Sequence, residues 1–141
     1  MSSSSEILNN CLYFSANSLS RIMTRLADEA FRPAGLSPSH AFLMMIVNES
    51  PGIGPNELSK KLQIAPSTVT RFVDVLEKKG MIYRESVGKV SKIFNTEKGK
   101  NLQETIKSCW GKLYHSYSEQ LGERLSGVLN DLINEASRKL E

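Results

Sequence analysis

Ser67, Thr68, Thr70 and Arg71 are the residues of this chain whose types and spacing best suit a chemical task, and the task is recognition. Hydroxyls reach phosphate oxygens or base edges, and a guanidinium grips guanine O6 and N7 with two bonds. These four follow Pro66 in a run, Pro66 to Lys79, where Val69, Phe72, Val73 and Leu76 recur at i, i+3, i+4 and i+7. That period gives a helix one apolar stripe and leaves Ser67, Arg71, Asp74 and Lys78 on the opposite face, with no core duty. An ordinary solvated helix face would read the same way, so the surroundings must decide.

The element ahead of this helix is a shorter one, Pro55 to Leu62, whose Leu58 and Leu62, with Ile64 beyond, offer the apolar surface that the stripe needs. Pro55 and Pro66 each suit a first helical position, where no backbone N–H is required, and Glu57 stands three residues after Gly54 as in a capping box. Gly80 closes the second helix. The pair reads as a helix-turn-helix.

Beyond Gly80, the run Met81 to Asn95 holds Ile82, Tyr83, Val87, Val90, Ile93 and Phe94 around a central Gly88. It fits a β-hairpin turning near Gly88, with Arg84, Lys89 and Lys92 on or beside it. A helix pair followed directly by a basic hairpin is the winged form of the motif. Its recognition helix enters the major groove of double-stranded DNA while the wing reaches the backbone or the minor groove.

Charge supports this reading by its distribution. The chain carries a net charge of only +3, yet Asn56 to Lys100 holds ten Lys and Arg against five Asp and Glu, and the remainder eight against ten. Positive charge gathered on the helix-turn-helix and hairpin is the footprint of a nucleic-acid binder.

With 141 residues and 40% hydrophobic content, the chain is long enough for one sizeable core and short for two. It reads as a single domain, mainly α with a small β wing. No apolar run approaches the roughly 18 to 20 residues that span a bilayer, and the Ser-rich start lacks the regions of a secretory signal. No membrane association is expected; the cytoplasm is. Cys11 and Cys109 match no metal or disulfide pattern, and two histidines are too few for a zinc site, so no cofactor is expected.

The flanks are helical. Glu6 to Phe31 reads as one long helix carrying Ile7, Leu8, Cys11, Leu12, Leu19, Ile22, Met23 and Leu26. A second helix starts near Pro38, capped by Ser37, and its apolar run from Ala41 to Val47 calls for a central, buried place. From Thr96, a plausible cap, the chain is helical to its end, with apolar stripes before and after a junction near Gly122. The terminal helices carry more apolar surface than a small winged unit covers. A second copy of the chain is expected to cover it, as a homodimer.

The order of helix, apolar helix, Glu57–Leu62, Ser67–Gly80, Arg84, Thr96–Gly99 and two terminal helices resembles the MarR family of bacterial transcription regulators over almost the whole chain. The resemblance implies a triangular homodimer of winged helix-turn-helix protomers, with residues 6–35 and 100–141 as dimerisation helices and 36–99 as the DNA-binding region. Each recognition helix would read half of a near-palindromic operator. Small anionic or phenolic effectors, or thiol oxidation, would release the DNA. By position, Ser67, Thr68, Thr70 and Arg71 correspond to the major-groove face, and Arg84 to the arginine that opens the wing. One departure stands out: the hairpin, ESVGKVSK, is about three residues shorter than the family's usual wing and lacks its Asp-x-Arg arginine.

Other residues invite sharper readings. His40, Met44 and Trp110 are candidate walls of a ligand pocket, although a hydrogen-bonding histidine and apolar residues at helical spacing are more often structural. Met45, Tyr13, Tyr114 and Tyr117 are similarly ambiguous. Cys11 falls near where the family's organic-peroxide sensors keep a reactive cysteine, but Ser15, Pro38 and Ala41 stand at the places where those sensors have supporting tyrosines. It is therefore expected to be a buried packing residue rather than a redox centre. Two further classes compete with DNA recognition. A protein-binding winged module would not need Ser67, Thr70 and Arg71 on a basic face. An enzyme would need a phosphate loop, a metal-spaced ligand set or a local nucleophile motif, and none is evident.

Overall fold

Residues 2–141 are described by a computed structural model. In chain order the elements are α1 (Ser4–Asn9), α2 (Leu12–Ala30), α3 (Pro38–Glu49), α4 (Pro55–Leu62), α5 (Pro66–Lys78), β1 (Ile82–Val87), β2 (Val90–Asn95), α6 (Glu97–Asn101), α7 (Gln103–Leu121) and α8 (Glu123–Leu140). A short 3-10 turn, Arg32–Ala34, precedes α3. The described chain divides into two compact units, residues 31–110 and residues 2–30 with 111–141.

The 31–110 unit is the winged helix. Its centre is α3, started by Pro38 and by the Ser37 hydroxyl accepting the His40 N–H, with Ala41, Leu43, Met44 and Val47 fully buried. An apolar helix with so little amphipathic contrast has to be surrounded, and α4, α5, α6 and β2 all pack against it. The two helices of the motif fall where the proline and apolar pattern puts them. Gly54 has no side chain, so α4 begins without the side-chain half of a capping box.

Between these helices the backbone reverses through Gln63, which adopts a left-handed φ of 56°. The Ser59 hydroxyl donates to the Ile64 carbonyl at 2.6 Å, and the Ile64 N–H to the Ser59 carbonyl at 3.2 Å, closing the turn. Leu58, Val69, Val73 and Leu76 are buried from its two sides. After α5, Gly80 donates to Glu77 O and Met81 to Leu76 O, a Schellman pair that ends the helix and launches the hairpin.

The hairpin pairs Ile82 with Asn95 through Val87 with Val90, leaving Gly88 and Lys89 as a two-residue turn. Gly88 has a φ of +65°, which a first loop residue must adopt in a type II′ turn and which only glycine takes without strain. Ile82 and Ile93 point into the core, and Ile53 adds a bridge to Ile93 at the wing's base.

The second unit holds α1, α2, α8 and the later part of α7. The long helix expected over 6–31 is interrupted: α1 stops at Asn9 and α2 starts at Leu12. Asn10 ends α1 by turning its side-chain amide back onto the Glu6 carbonyl at 2.8 Å, the local competition that makes asparagine a helix stop. A similar step at Leu102 separates α6 from α7. In α2 no residue is buried, and among the unit's described residues only Leu113, Ser118 and Ser126 are.

Candidate nucleic-acid interface

The recognition face is set by what α5 buries. Val69, Val73 and Leu76 are fixed in the core and Phe72 is half-buried, so Ser67, Thr70, Arg71, Asp74 and Lys78 stand exposed on the other side, with Thr68 half-buried beside them. Ala65 provides no side-chain cap, Pro66 has no N–H and Thr68 N–H turns back to the Ala65 carbonyl at 3.0 Å, so the Ser67 N–H and the helix dipole are what favour an anion such as phosphate at the first turn of α5. The Thr70 hydroxyl donates to the Pro66 carbonyl at 3.2 Å, and Arg71 Nη2 reaches the Thr68 hydroxyl at 3.3 Å. Both bonds hold these side chains over the helix's N-terminal half while leaving most of the guanidinium's donors unused.

Arg84 is placed otherwise than its position suggested. Its guanidinium bonds Asp74, Glu77 at 2.7 Å and the Thr70 carbonyl at 3.4 Å, and its N–H reaches Glu77 at 3.3 Å. The first strand of the wing is thereby tied to the recognition helix. An arginine whose fork is committed to two carboxylates is a clamp within this unit rather than a free phosphate ligand. Asp74, already placed on the polar face by its spacing, and Glu77 complete the clamp, a role that the spacing did not assign to either. The only signal was two acids on the polar face of a basic helix just ahead of an arginine-bearing strand.

Lys89 sits at the turn of the wing and Lys92 on β2, both exposed; Lys92 lies directly opposite Glu85. Val87 and Val90, paired beside the turn, are also exposed. The wing tip therefore offers two cations and two small apolar side chains.

The other candidates disperse. Met44 is fully buried, its methyl beside Gly99, and has no surface for a ligand. His40 packs its ring on Phe72, centroids 4.3 Å apart, with Nδ1 bonded to the Ser37 hydroxyl and Nε2 buried without a hydrogen-bond partner. Burial, and then the positive charge of Lys79, hold its pKa below the ordinary histidine value. Trp110 is about half exposed on α7. None of the three lines the two cavities described next. Cys11, expected to be buried, is half-exposed at the break between α1 and α2.

Cavities lie elsewhere. Within the terminal-helix unit an apolar one of about 250 Å³ is lined by Leu19, Met23, Tyr117, Leu129 and Ile133, among others. Burial, and then Tyr114, push the Tyr117 phenol above its ordinary pKa. In the winged unit a polar cleft of about 300 Å³ is lined by Asn48, Pro51, Asn95, Lys100 and Gln103.

Comparison with known proteins places this geometry. Residues 36–86 match the model of the MarR family. A riboflavin kinase of Pyrococcus abyssi is 36% identical over 78 residues, covering 51% of this chain; the chain spans about a third of that protein's length. Among solved structures, the transcriptional repressor CouR bound to a 23-mer DNA duplex superposes with a TM-score of 0.84 at 16% identity, covering 97% of this chain and 99% of that one. CouR from Rhodococcus jostii RHA1 bound to p-coumaroyl-CoA gives 0.76 at 19%, covering 92% and 93%. The MepR–DNA complex of S. aureus gives 0.76 at 20%, covering 93% and 97%. The MarR family's model is thus matched across the helix-turn-helix and most of the first strand of the wing, and the fold of these solved structures is followed over nearly the full length of the chain.

Proposed function

We propose that this protein is a sequence-specific, DNA-binding transcriptional regulator that acts as a homodimer on a near-palindromic operator in the cytoplasm. The observation that carries the reading is the exposed face of α5, where Ser67, Thr70 and Arg71 stand clear on a helix whose opposite side is locked into the core. Pro66 opens that helix, Thr68 flanks the face, and Lys89 and Lys92 extend positive charge along the wing. In this reading Arg71 and the hydroxyls address base edges and phosphates, while the wing lysines act as point charges on the backbone. Arg84 acts indirectly, by fixing the wing against α5.

Dimerisation is supported by the terminal-helix unit. Leu12, Tyr13, Leu125, Val128, Leu132 and Ile133 are each about half exposed or more, and the unit buries almost nothing by itself. A second copy burying these faces would remove the apolar surface that a monomer leaves in water. The likeness to a repressor solved with DNA and with p-coumaroyl-CoA supports repression relieved by a small effector. The test is a fluorescence titration with DNA taken from beside the protein's own gene, against random duplex, over a salt series. Preference for one site at moderate salt supports the reading; equal affinity for all duplexes, or none, overturns it.

A further inference from the structure

The cleft at the base of the wing is built around three carboxamides brought together from distant parts of the chain. Asn48 lies in the last turn of α3, Asn95 ends β2 and Gln103 begins α7. They converge on Gly99, where a Cβ would stand 2.3 Å from the Met81 carbonyl oxygen, so that only glycine lets α6 approach so closely. The Gly99 carbonyl can only accept, and this fixes the orientation of every amide around it.

Asn48 must present its nitrogen, which donates to Gly99 O at 3.0 Å and to Gln103 Oε1 at 2.8 Å. Both of its hydrogens are then used. Its oxygen, turned the other way, accepts from Asn95 Nδ2 at 2.9 Å. With Gln103 Oε1 directed inward, the two N–H groups of Gln103 Nε2 have no protein partner among the described residues. One N–H of Asn95 is likewise unused. Lys100, on the same cleft, has a long 3.4 Å contact with Glu97 and is more than half exposed. The cleft therefore offers several neutral donors and one ammonium beside the apolar ring of Pro51, and it has no acidic residue in its lining.

We propose that this cleft is a binding site for a small organic carboxylate. One oxygen takes the Lys100 ammonium, the other takes Gln103 Nε2–H, and the remainder of the molecule lies over Pro51 within the cavity of about 300 Å³. One cation matches the single charge of a carboxylate, and the volume exceeds what a bare inorganic anion fills. The proposal goes beyond the DNA-binding reading and is independent of it, because the site is defined by its own donors and its occupancy is read without DNA.

The experiment is a titration of the full-length, nitrogen-15-labelled protein with sodium benzoate, following the side-chain amide resonances of Asn95 and Gln103. Benzamide, the neutral counterpart, and inorganic phosphate are titrated in parallel. The expected result is saturable movement of both amides with benzoate, and at least about tenfold weaker binding of benzamide and phosphate, since charge-assisted bonds are about twice as strong as neutral ones. Gln103→Glu keeps an oxygen for Asn48 but replaces the outward donors with a charged acceptor, and it should abolish binding. Lys100→Met, a change at an exposed position, should weaken binding by about tenfold. Benzoate leaving both amides unmoved, benzamide or phosphate binding as tightly as benzoate, or Gln103→Glu binding like the unmodified protein would each overturn the assignment.

Discussion

Replacing Arg84 by alanine would remove the clamp between the wing and the recognition helix, and the structure sets the size of the effect. Its guanidinium pairs with Asp74 and Glu77, whose side chains are 52% and 41% exposed, against 30% for the arginine. Exposed ion pairs contribute about 0.2 to 1 kcal/mol each, and at this exposure solvent screening keeps them near the lower half of that range. The shared geometry, a further bond to the Thr70 carbonyl and the repulsion left between Asp74 and Glu77 at i, i+3 raise the total. Arg84→Ala should therefore destabilise the protein by about 1 to 2 kcal/mol. Urea unfolding at fixed protein concentration measures it, and a cycle with Asp74→Ala should return a coupling of about 0.5 kcal/mol or more. The loss should shrink in 1 M salt, where the screening length is about 3 Å. Zero coupling, or unchanged unfolding alongside a tenfold loss of operator affinity, would refute the clamp and make Arg84 a DNA contact.

Four further outcomes follow from the same geometry. Arg71→Ala should cost about 1 to 3 kcal/mol of binding to the preferred site and much less to random duplex, as titrations on both would show. If the proposed dimer forms through the terminal-helix faces, light scattering should find a dimer for the unmodified protein and a monomer for Leu132→Glu, which places a charge in the exposed apolar face of α8. Because burial and Lys79 depress the His40 pKa, the unfolded chain takes up this proton first as pH falls; stability is full above the ordinary value of 6.5 and declines as pH drops toward the folded value. Thermal melting from pH 8 downward should show that decline in the unmodified protein and a flatter profile in His40→Gln. Removing Val87 to Val90 and closing the gap with a short turn should lower affinity for preferred and random DNA by similar factors, and lower the salt slope by about one unit per lost phosphate contact; selective loss of preference at flanking base pairs would instead make the wing a reader.

The parts of this fold that are local in sequence were legible in it. Pro55, Pro66 and the i, i+3, i+4 period of Val69, Phe72 and Val73 determine α4, α5 and the face that α5 leaves exposed, because helix faces are set by neighbours three and four residues away. Gly88 between two β-rich runs determines the hairpin, because only glycine relieves the positive φ of its first turn residue. The Asn9–Asn10 pair also announced the break before α2, but an apolar tally at helical spacing passes over such a stop.

What only the tertiary structure decided is the choice of partner across long separations. Arg84 finds acids seven and ten residues back because β1 is laid along α5, and periodicity encodes no such distance. Asn48, Asn95 and Gln103 meet because α3, β2 and α7 converge on a glycine too close to Met81 for any side chain. Met44 and Trp110, equally apolar in the sequence, end as core and surface. Spacing states which way a side chain points from its own element, and packing alone states what stands opposite.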